Sequence, residues 1–542
     1  MKRILIIFAA WLLLSAVASA QIIYAVGQRN ATLTVSASDT PAALKNLANY
    51  KCDGTADEVE INAAIAALPT GGATSVKTSE ENTYASAGGT ILLLAGTYNL
   101  DAPISNTTVN ACVLRGEGQA TILNNRQTDA GHAIHFNGVG QTYGLNRCQI
   151  RDLLIQGNYT SAEVRSGDGL VMADCNYNQV NNVHAISNGG NGISFISTAT
   201  AKGAENKIIS DCQMCFNHGY GFYCSETHDL LMSGCEIEEN YNDQVRVVKN
   251  YGFYVSNCSI EDGHGTYAIH IESGQLPYIS GTTVETNACK FAPSIAGTNA
   301  MFTGSCFAGV EIAGTVAYKL GIAGCRLYTF TVTGTAGEIA MSSSNMTMDD
   351  VTANVMLVTG CDVTMAAGAV VMINDALCFN ACEWDKTDDT ASIVAGANTA
   401  RISISDCDIR GNTFLIDGDA KTGVRLSVTG NNLRVANFTF EDLSEVLVAS
   451  NMLHGTSALT VDNTDGSLLF SGNSFQAPAT LYTITINATC AATPRFLAND
   501  MTGLSLTDNT GKAVVPIDTT FTDGAGNTIT IKDGMVTAKT AP

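Results

Sequence analysis

Glutamates recur on a fixed beat in the middle of this chain. Glu238, Glu261 and Glu285 each stand three residues after Cys235, Cys258 and Thr282, and Cys215 holds the same place after Cys212. The residue before each of them, Met214, Ile237, Ile260 or Val284, is apolar. Alternate side chains of a strand take opposite faces, so the apolar residue points inward and its successor outward. If successive repeats stack as strands about 4.8 Å apart, neighbours such as Glu238 and Glu261 approach the roughly 5–5.5 Å of a retaining glycosidase pair. Glu238 and Glu285 approach the wider separation of an inverting one. Carboxylates this close raise one another's pKa unless a cation intervenes. Asp262, beside Glu261 and near Glu285, supplies a further oxygen ligand for a hard cation such as Ca²⁺. The bland alternative is an acidic stripe solvated by water.

A second set follows one turn later, in Gly221-Phe222-Tyr223-Cys224, Gln244-Val245-Arg246-Val247 and Ala268-Ile269-His270-Ile271. The same alternation turns Tyr223, Arg246 and His270 outward, with Ser194 and His135 upstream and Glu226, Lys249 and Glu272 at the strand ends. An aromatic ring stacks on sugar, an arginine grips a carboxylate, and histidine or glutamate moves a proton. Elimination beside a uronic carboxylate would use Arg246 or His270, helped by a cation on the acidic stripe. Hydrolysis would use two of the carboxylates. Surface strands also carry Tyr, Arg and His with no role at all.

What must position these residues is a repeat. The phrase Ile209-Ser210-Asp211-Cys212-Gln213-Met214 returns as Met232-Ser233-Gly234-Cys235-Glu236-Ile237 and as Val255-Ser256-Asn257-Cys258-Ser259-Ile260, with the cysteines 23 residues apart. Further anchors fall at Thr282, Cys306, Cys325, Cys361, Cys382 and Cys407, then at Asn431, Asn451, Asn473 and Asp500, with Leu153 and Val183 in the same slot upstream. The stretches alternate in twos, as strands do, and show no helical period. A period in the low twenties, with Gly, Asn and Asp at the bends, predicts an all-β fold: a single-stranded parallel β-helix, a solenoid of three-sided coils. Its stacked anchors would form a buried column of Cys, as small hydrophobes, and of Asn, which satisfies bend amides.

One helix is predicted near the start, where Thr55 and Glu58 form a capping box and Ile61, Ile65 and Leu68 line one face. The stretch Cys52-Asp53-Gly54-Thr55-Ala56-Asp57-Glu58-Val59-Glu60-Ile61-Asn62-Ala63-Ala64-Ile65 resembles the opening of the pectate-lyase-like superfamily of right-handed parallel β-helices. The Gly88-Gly89 turn and Leu94-Ala95-Gly96-Thr97-Tyr98 fit the same pattern. The resemblance implies that the helix caps the first coil, which would otherwise be an open sheet edge. It also implies that the Tyr223–Arg246–His270 strand face lines a saccharide groove. The superfamily includes exported polysaccharide-active proteins and phage tailspike-like proteins, so the resemblance leaves activity open.

The remaining sequence bounds these readings. Charged residues are 14% of 542, well under the roughly 25% of ordinary proteins, and the net charge of −22 excludes a nucleic-acid partner, which needs clustered Lys and Arg. Lys2-Arg3, the apolar run Ile4–Val17 and Ala18-Ser19-Ala20 read as a signal peptide over 1–20. Removal of that segment leaves no apolar stretch of membrane-spanning length, so the expected location is secreted, extracellular or at a cell surface. A lead-in segment covers 21–50, the capping helix and first coils 51–130, the β-helix 131–510 and a small C-terminal β module 511–542, with strands at 519–522, 527–531 and 535–538. The 17 Cys are an odd number, and stacked ladder positions do not match disulfide geometry, so most are expected as buried free thiols. The Cys212/Cys215 pair falls on opposite faces of a strand and makes a poor metal site. Two functions fit: an exported protein that binds and cleaves an extracellular polysaccharide as a lyase or glycoside hydrolase, or a non-catalytic adhesin or tailspike-like shaft. Its oligomeric state would be a monomer or a homotrimer.

Overall fold

The computed structural model describes residues 31–540 apart from 70–75, 79–80, 84–87, 129–130, 140–143, 160–166, 198–204, 227, 250, 276, 293, 295–297, 315–317, 386–390, 397–399, 420, 455–457, 477–481, 488, 492–493, 498, 500–503, 510–514, 517–518, 523–527 and 533–534. The signal-peptide segment and Asp500 lie outside the described residues. Within them the chain winds into a parallel β-solenoid of about 15 turns, each strand pairing in register with the equivalent strand of the next coil. In the middle coils the first face is built from Gln213–Cys215, Glu236–Glu238, Ser259–Glu261 and Thr283–Val284. The second is built from Phe222–Cys224, Val245–Val247, Ile269–Ile271 and Cys289–Phe291. The third carries His228–Ser233, Phe253–Ser256 and Tyr278–Ser280.

A single left-handed residue makes the bend between the third face and the first. Asp211, Gly234, Asn257 and Gly281 hold it at φ of +54, +62, +51 and +56, where only Gly, Asn and Asp sit at little cost. This explains the small or turn-forming residue that precedes each anchor in the repeated phrase. The anchor then turns inward: Cys212, Cys235, Cys258 and Thr282 are all buried. The column continues through Ser305, Cys325, Ser344, Cys361, Cys382 and Cys407 into asparagine. Cys306, expected as an anchor, instead sits half-buried in register between Thr283 and Arg326 on the outer side, one residue past the true anchor Ser305.

The asparagine column satisfies the bend amides as expected. Asn431, through its backbone and side-chain nitrogens, donates to Asn451 Oδ1 at 2.9 and 3.0 Å, and Asn451 likewise donates to Asn473 at 3.0 Å from each nitrogen. The series passes to Asn499, which takes two bonds from Asn473 at 2.9 Å. A second ladder, Asn188–Asn217–Asn240, holds the bend between the first and second faces in the same way. None of the 17 cysteines is in a disulfide, and all but Cys306 and Cys378 are buried.

The first coils differ from the expectation in one detail. The helix runs Glu58–Ala66 with Asp57 at its N-cap and no side-chain capping bond. The capping box fails because its parts are engaged elsewhere: Thr55 donates to Asp53 at 2.7 Å, and Glu58 accepts the Asp101 N–H at 3.0 Å. Asp57, fully buried, accepts from Gly54 N and Asn99 N at 2.8 and 2.7 Å, tying the helix start to the strand Gly96–Leu100. Ile61, Ala64, Ile65 and Leu68 are buried against the first coil. At the other end Thr519–Thr522, Thr528–Lys532 and Met535–Thr540 form a separate antiparallel sheet. Among the described residues no helix is long and apolar enough to cross a membrane.

The core also holds a lysine. Lys207 is fully buried, its Nζ 4.5 Å from the centre of the Phe195 ring and without a hydrogen-bond partner. Burial drives its pKa below the usual lysine range. The unfolded chain therefore binds the extra proton between the depressed and the ordinary pKa, and stability rises with pH across that window. Lys207→Met should stabilise the fold by about 1–3 kcal/mol at neutral pH, with the gain shrinking as pH approaches the ordinary lysine value. Denaturant unfolding of both proteins at several pH values measures it, and a pH-independent difference would contradict the account. In the asparagine column, Asn451→Ala leaves the backbone N–H of Asn431 unpaired in the core and should cost about 1–3 kcal/mol, read by the same unfolding experiment.

Candidate functional site

The second face brings its outward residues into one column, as the alternation predicts. Ser194 pairs in register with Tyr223, Tyr223 with Arg246, Arg246 with His270, and the column runs on through Lys290 and Glu311. Arg246, His270 and Glu272 are joined by a fourth residue, Asp243. Its Oδ2 lies 3.1 Å from Arg246 Nη1 and 3.4 Å from His270 Nδ1, and its Oδ1 accepts the Tyr267 N–H at 3.0 Å. Arg246 also donates through Nε to Glu272 Oε1 at 2.8 Å and lies in direct contact with His270 Nδ1. Burial alone would raise the Asp243 carboxyl. The hydrogen bonds from His270, Tyr267 and Arg246 outweigh it and hold the pKa below the usual carboxylate range.

The clamp is repeated three coils away. Asp168 accepts the Asn191 N–H at 2.8 Å and the Ser194 hydroxyl at 2.6 Å, the same two acceptor roles Asp243 plays toward Tyr267 and His270. Each aspartate thus ties its own coil to the next. Ser194, expected to face out, is fully buried beneath this pair. Aromatic rings edge the face: Tyr220 stacks on Tyr223 with centroids 5.6 Å apart, and Tyr267 meets His270 edge-on at 4.7 Å. Lys249 pairs with Glu226 at 2.9 Å and Lys290 with Glu311 at 3.3 Å.

The glutamates form the expected stripe on the first face. Glu238 is in register with Cys215 on one side and Glu261 on the other, and Glu285 follows through its N–H to Ile260 O. Burial, then the neighbouring charges of Glu236 and Glu261, push the Glu238 carboxyl above its ordinary value. Cys215 is buried although it lies in the outward column, because Glu238 covers it with Oε1 3.7 Å from the thiol. Asp262 occupies a left-handed bend at φ +44 and accepts the Thr286 hydroxyl at 3.1 Å. Among the described residues the group of three potential ligands with atoms within 4.8 Å of one another is Cys52, Asp57 and Glu60; Glu261, Asp262 and Glu285 are spread more widely. The structure therefore divides the proposed catalytic set, with Glu238 and Glu261 on one face and Arg246 and His270 on the next.

Between the two faces, where the chain bends from 239 to 243, lies a groove of about 730 Å³. Phe216, Tyr220, Tyr241, Tyr159, Glu239 and Asp243 are among its lining residues. Phe216 and Tyr241 are 50% and 55% exposed. Tyr241 stacks on His218 at 4.8 Å and 18°, and Tyr159 lies 4.8 Å from the other side of the same ring. His264 on the next coil reaches Glu239 at 3.2 Å. Phe216, Glu239 and Asp262 succeed one another at the same bend position, at φ of +57, +53 and +44, an unfavourable conformation for an aromatic residue.

The family model for the right-handed β-helix region matches residues 132–320 and 201–353, which include this whole site. The fold is a right-handed parallel β-helix. Among solved structures, the β-helix is similar to the ORF18 protein of Geobacillus virus E2, at 14% identity and a TM-score of 0.38, over 58% of this chain and 58% of that one. No curated protein matches it.

Sequence alternation placed the β-helix strand residues and missed those on its bends: Phe216, Tyr241, Glu239, Asp243 and Tyr159. Parity ends where the strand ends. A signal for Asp243 was present, since Asp168 and Asp243 both stand two residues before the inward residue that opens a second-face strand. Asp243→Asn removes the charge that Arg246 and His270 share, so acid should do the same to the wild type. With its folded pKa depressed, Asp243 contributes stability above its ordinary pKa, and this is lost as pH falls through the folded value. Near-ultraviolet circular dichroism of the adjoining tyrosines should change in that acid range in the wild type, while Asp243→Asn shows the altered spectrum already at neutral pH.

Proposed function

We propose that this chain is an exported protein that binds an extracellular polysaccharide in the groove between the first and second faces and hydrolyses it there. The observation that carries the reading is the groove wall. Exposed Phe216 and Tyr241 and the Tyr159–His218–Tyr241 stack offer flat rings to sugar faces, beside a cluster of carboxylates and cations. Two acids, Glu239 and Asp243, line the groove, and a pair of carboxyls is the set that glycoside hydrolysis requires. Export rests on the Lys2–Ala20 segment.

The test is product release from neutral and uronic-acid polysaccharides, with and without calcium, by wild type, Glu239→Gln and Asp243→Asn. Hydrolysis predicts new reducing ends without ultraviolet absorbance, abolished by either variant. Absorbing unsaturated products would mean a lyase instead. Retention without any product would leave a binding shaft of the tailspike or adhesin kind. Binding is tested apart from chemistry: Tyr241→Ala should weaken retention in polysaccharide-containing gels by about tenfold, the scale of one lost aromatic contact. Unchanged mobility would remove Tyr241 from the site.

A further inference from the structure

The third face takes no part in the groove, yet its central outward column is largely apolar, with Gly321, Ser403 and Ser427 as the exceptions. Leu231 pairs in register with Tyr254, Tyr254 with Tyr278, and Tyr278 with Met301. The ladder continues unbroken through Gly321, Ala340, Leu357, Cys378, Ser403, Ser427 and Leu447 to Leu469. Tyr254, Tyr278 and Leu357 are 39%, 38% and 40% exposed, and the two tyrosines stack at 5.2 Å. On the same coils the first face presents Asn345, Asp362, Glu383 and Asp408 in the equivalent outward column. All three sheets share one core and one solvent, so the core gives no reason for this column to differ from the Asn345–Asp408 column of the first face. A run of apolar rungs this long on the surface, from Leu231 to Met301 and again at Ala340–Cys378 and Leu447–Leu469, marks an interaction site.

We propose that the third face is where a second copy of this chain docks, side by side along the solenoid. The seam is straight, one residue per coil, and eleven steps of about 4.8 Å make it roughly 50 Å long. A globular partner would cover part of such a strip, whereas another solenoid with the same flat sheet covers all of it. Beside the seam runs a lane of small residues, Ser233, Ser256, Ser280 and Thr303, that lets a second sheet approach closely. On the other side ion pairs such as Lys319–Glu338 at 2.7 Å and Arg425–Glu445 at 3.2 Å form a polar rim. Three lanes span about 13 Å, so each copy would bury about 700 Å², close to the roughly 800 Å² per partner of a stable complex. The same patch on both copies makes a contact that closes on itself.

Two half-buried thiols report on this directly, because Cys378 lies in the seam and Cys306 on the first face. In the full chain, maleimide labelling of Cys378 should slow markedly as the protein is raised from nanomolar to micromolar concentration, while Cys306 labels at one rate throughout. Light scattering should give a mass of more than one chain at micromolar concentration. The variant carrying Tyr254→Lys and Leu357→Lys should return to a single-chain mass with an unchanged far-ultraviolet spectrum, and Asn345→Lys on the first face should leave the mass as it is. A single-chain mass for the wild type, or equal labelling of Cys378 at both concentrations, overturns the proposal. So does an assembly that survives the seam variant. Saccharide retention is read separately and does not enter this test.

Discussion

Everything in this molecule follows from the hydrogen-bonded register between one coil and the next. Each strand pairs in parallel with its equivalent about 4.8 Å away, so every side chain has its own counterpart above and below. Residue types that gain from stacking on their like are favoured. Asparagine is the clearest case, because one Oδ1 takes both the backbone and side-chain donors of its neighbour and leaves its own donors for the next rung. Cysteine fills the same column where packing alone is needed. Charges are the unfavourable case: burial is the main cause of the raised Glu238 pKa, and the carboxylates of Glu236 beside it and Glu261 on the next coil add to it.

The register also decides where chemistry can gather. Along a strand face the neighbours are fixed in advance, one column per position, and the two faces that flank a bend cannot exchange residues. At the bend the backbone is left-handed for one residue, the strand's alternation lapses, and side chains from both faces come to one concavity. Phe216, Glu239 and Tyr241 sit there, and Asp243 begins the second face. The Asn188–Asn217–Asn240 ladder beneath them keeps these bends superposed from coil to coil. A rigid internal ladder thus supports an irregular outer edge, and the irregular edge carries the groove.

Much of this was legible from residue order because a period-two pattern inside a period of about 23 has few physical solutions. The inward Met214, Ile237, Ile260 and Val284, the glutamate stripe and the Tyr223–Arg246–His270 column all lie where alternation puts them. What was illegible depended on competition between partners. Thr55 and Glu58 have the right types and spacing for a capping box, but Asp53 and the Asp101 N–H take them. Cys306 has the right type for an anchor, yet Ser305 fills the slot because Gly304 takes the left-handed turn one residue earlier. Asp243 lies just before the strand Val245–Val247, where strand parity no longer applies, so its link to Arg246 showed only in its matching Asp168 two residues before Leu170.

The contrast among the three outer faces is the most informative feature that single residues do not reveal. Each of Leu231, Tyr254, Met301 and Leu469 is unremarkable alone, since isolated apolar residues are common on protein surfaces. Register turns them into one line, whereas the first face, under the same constraint, lines up acids and amides. Both lines arise from the same coil-to-coil pairing, so the difference between them has its origin outside the fold. Water suffices to account for the polar face. A second copy docked along the third face accounts for its apolar column.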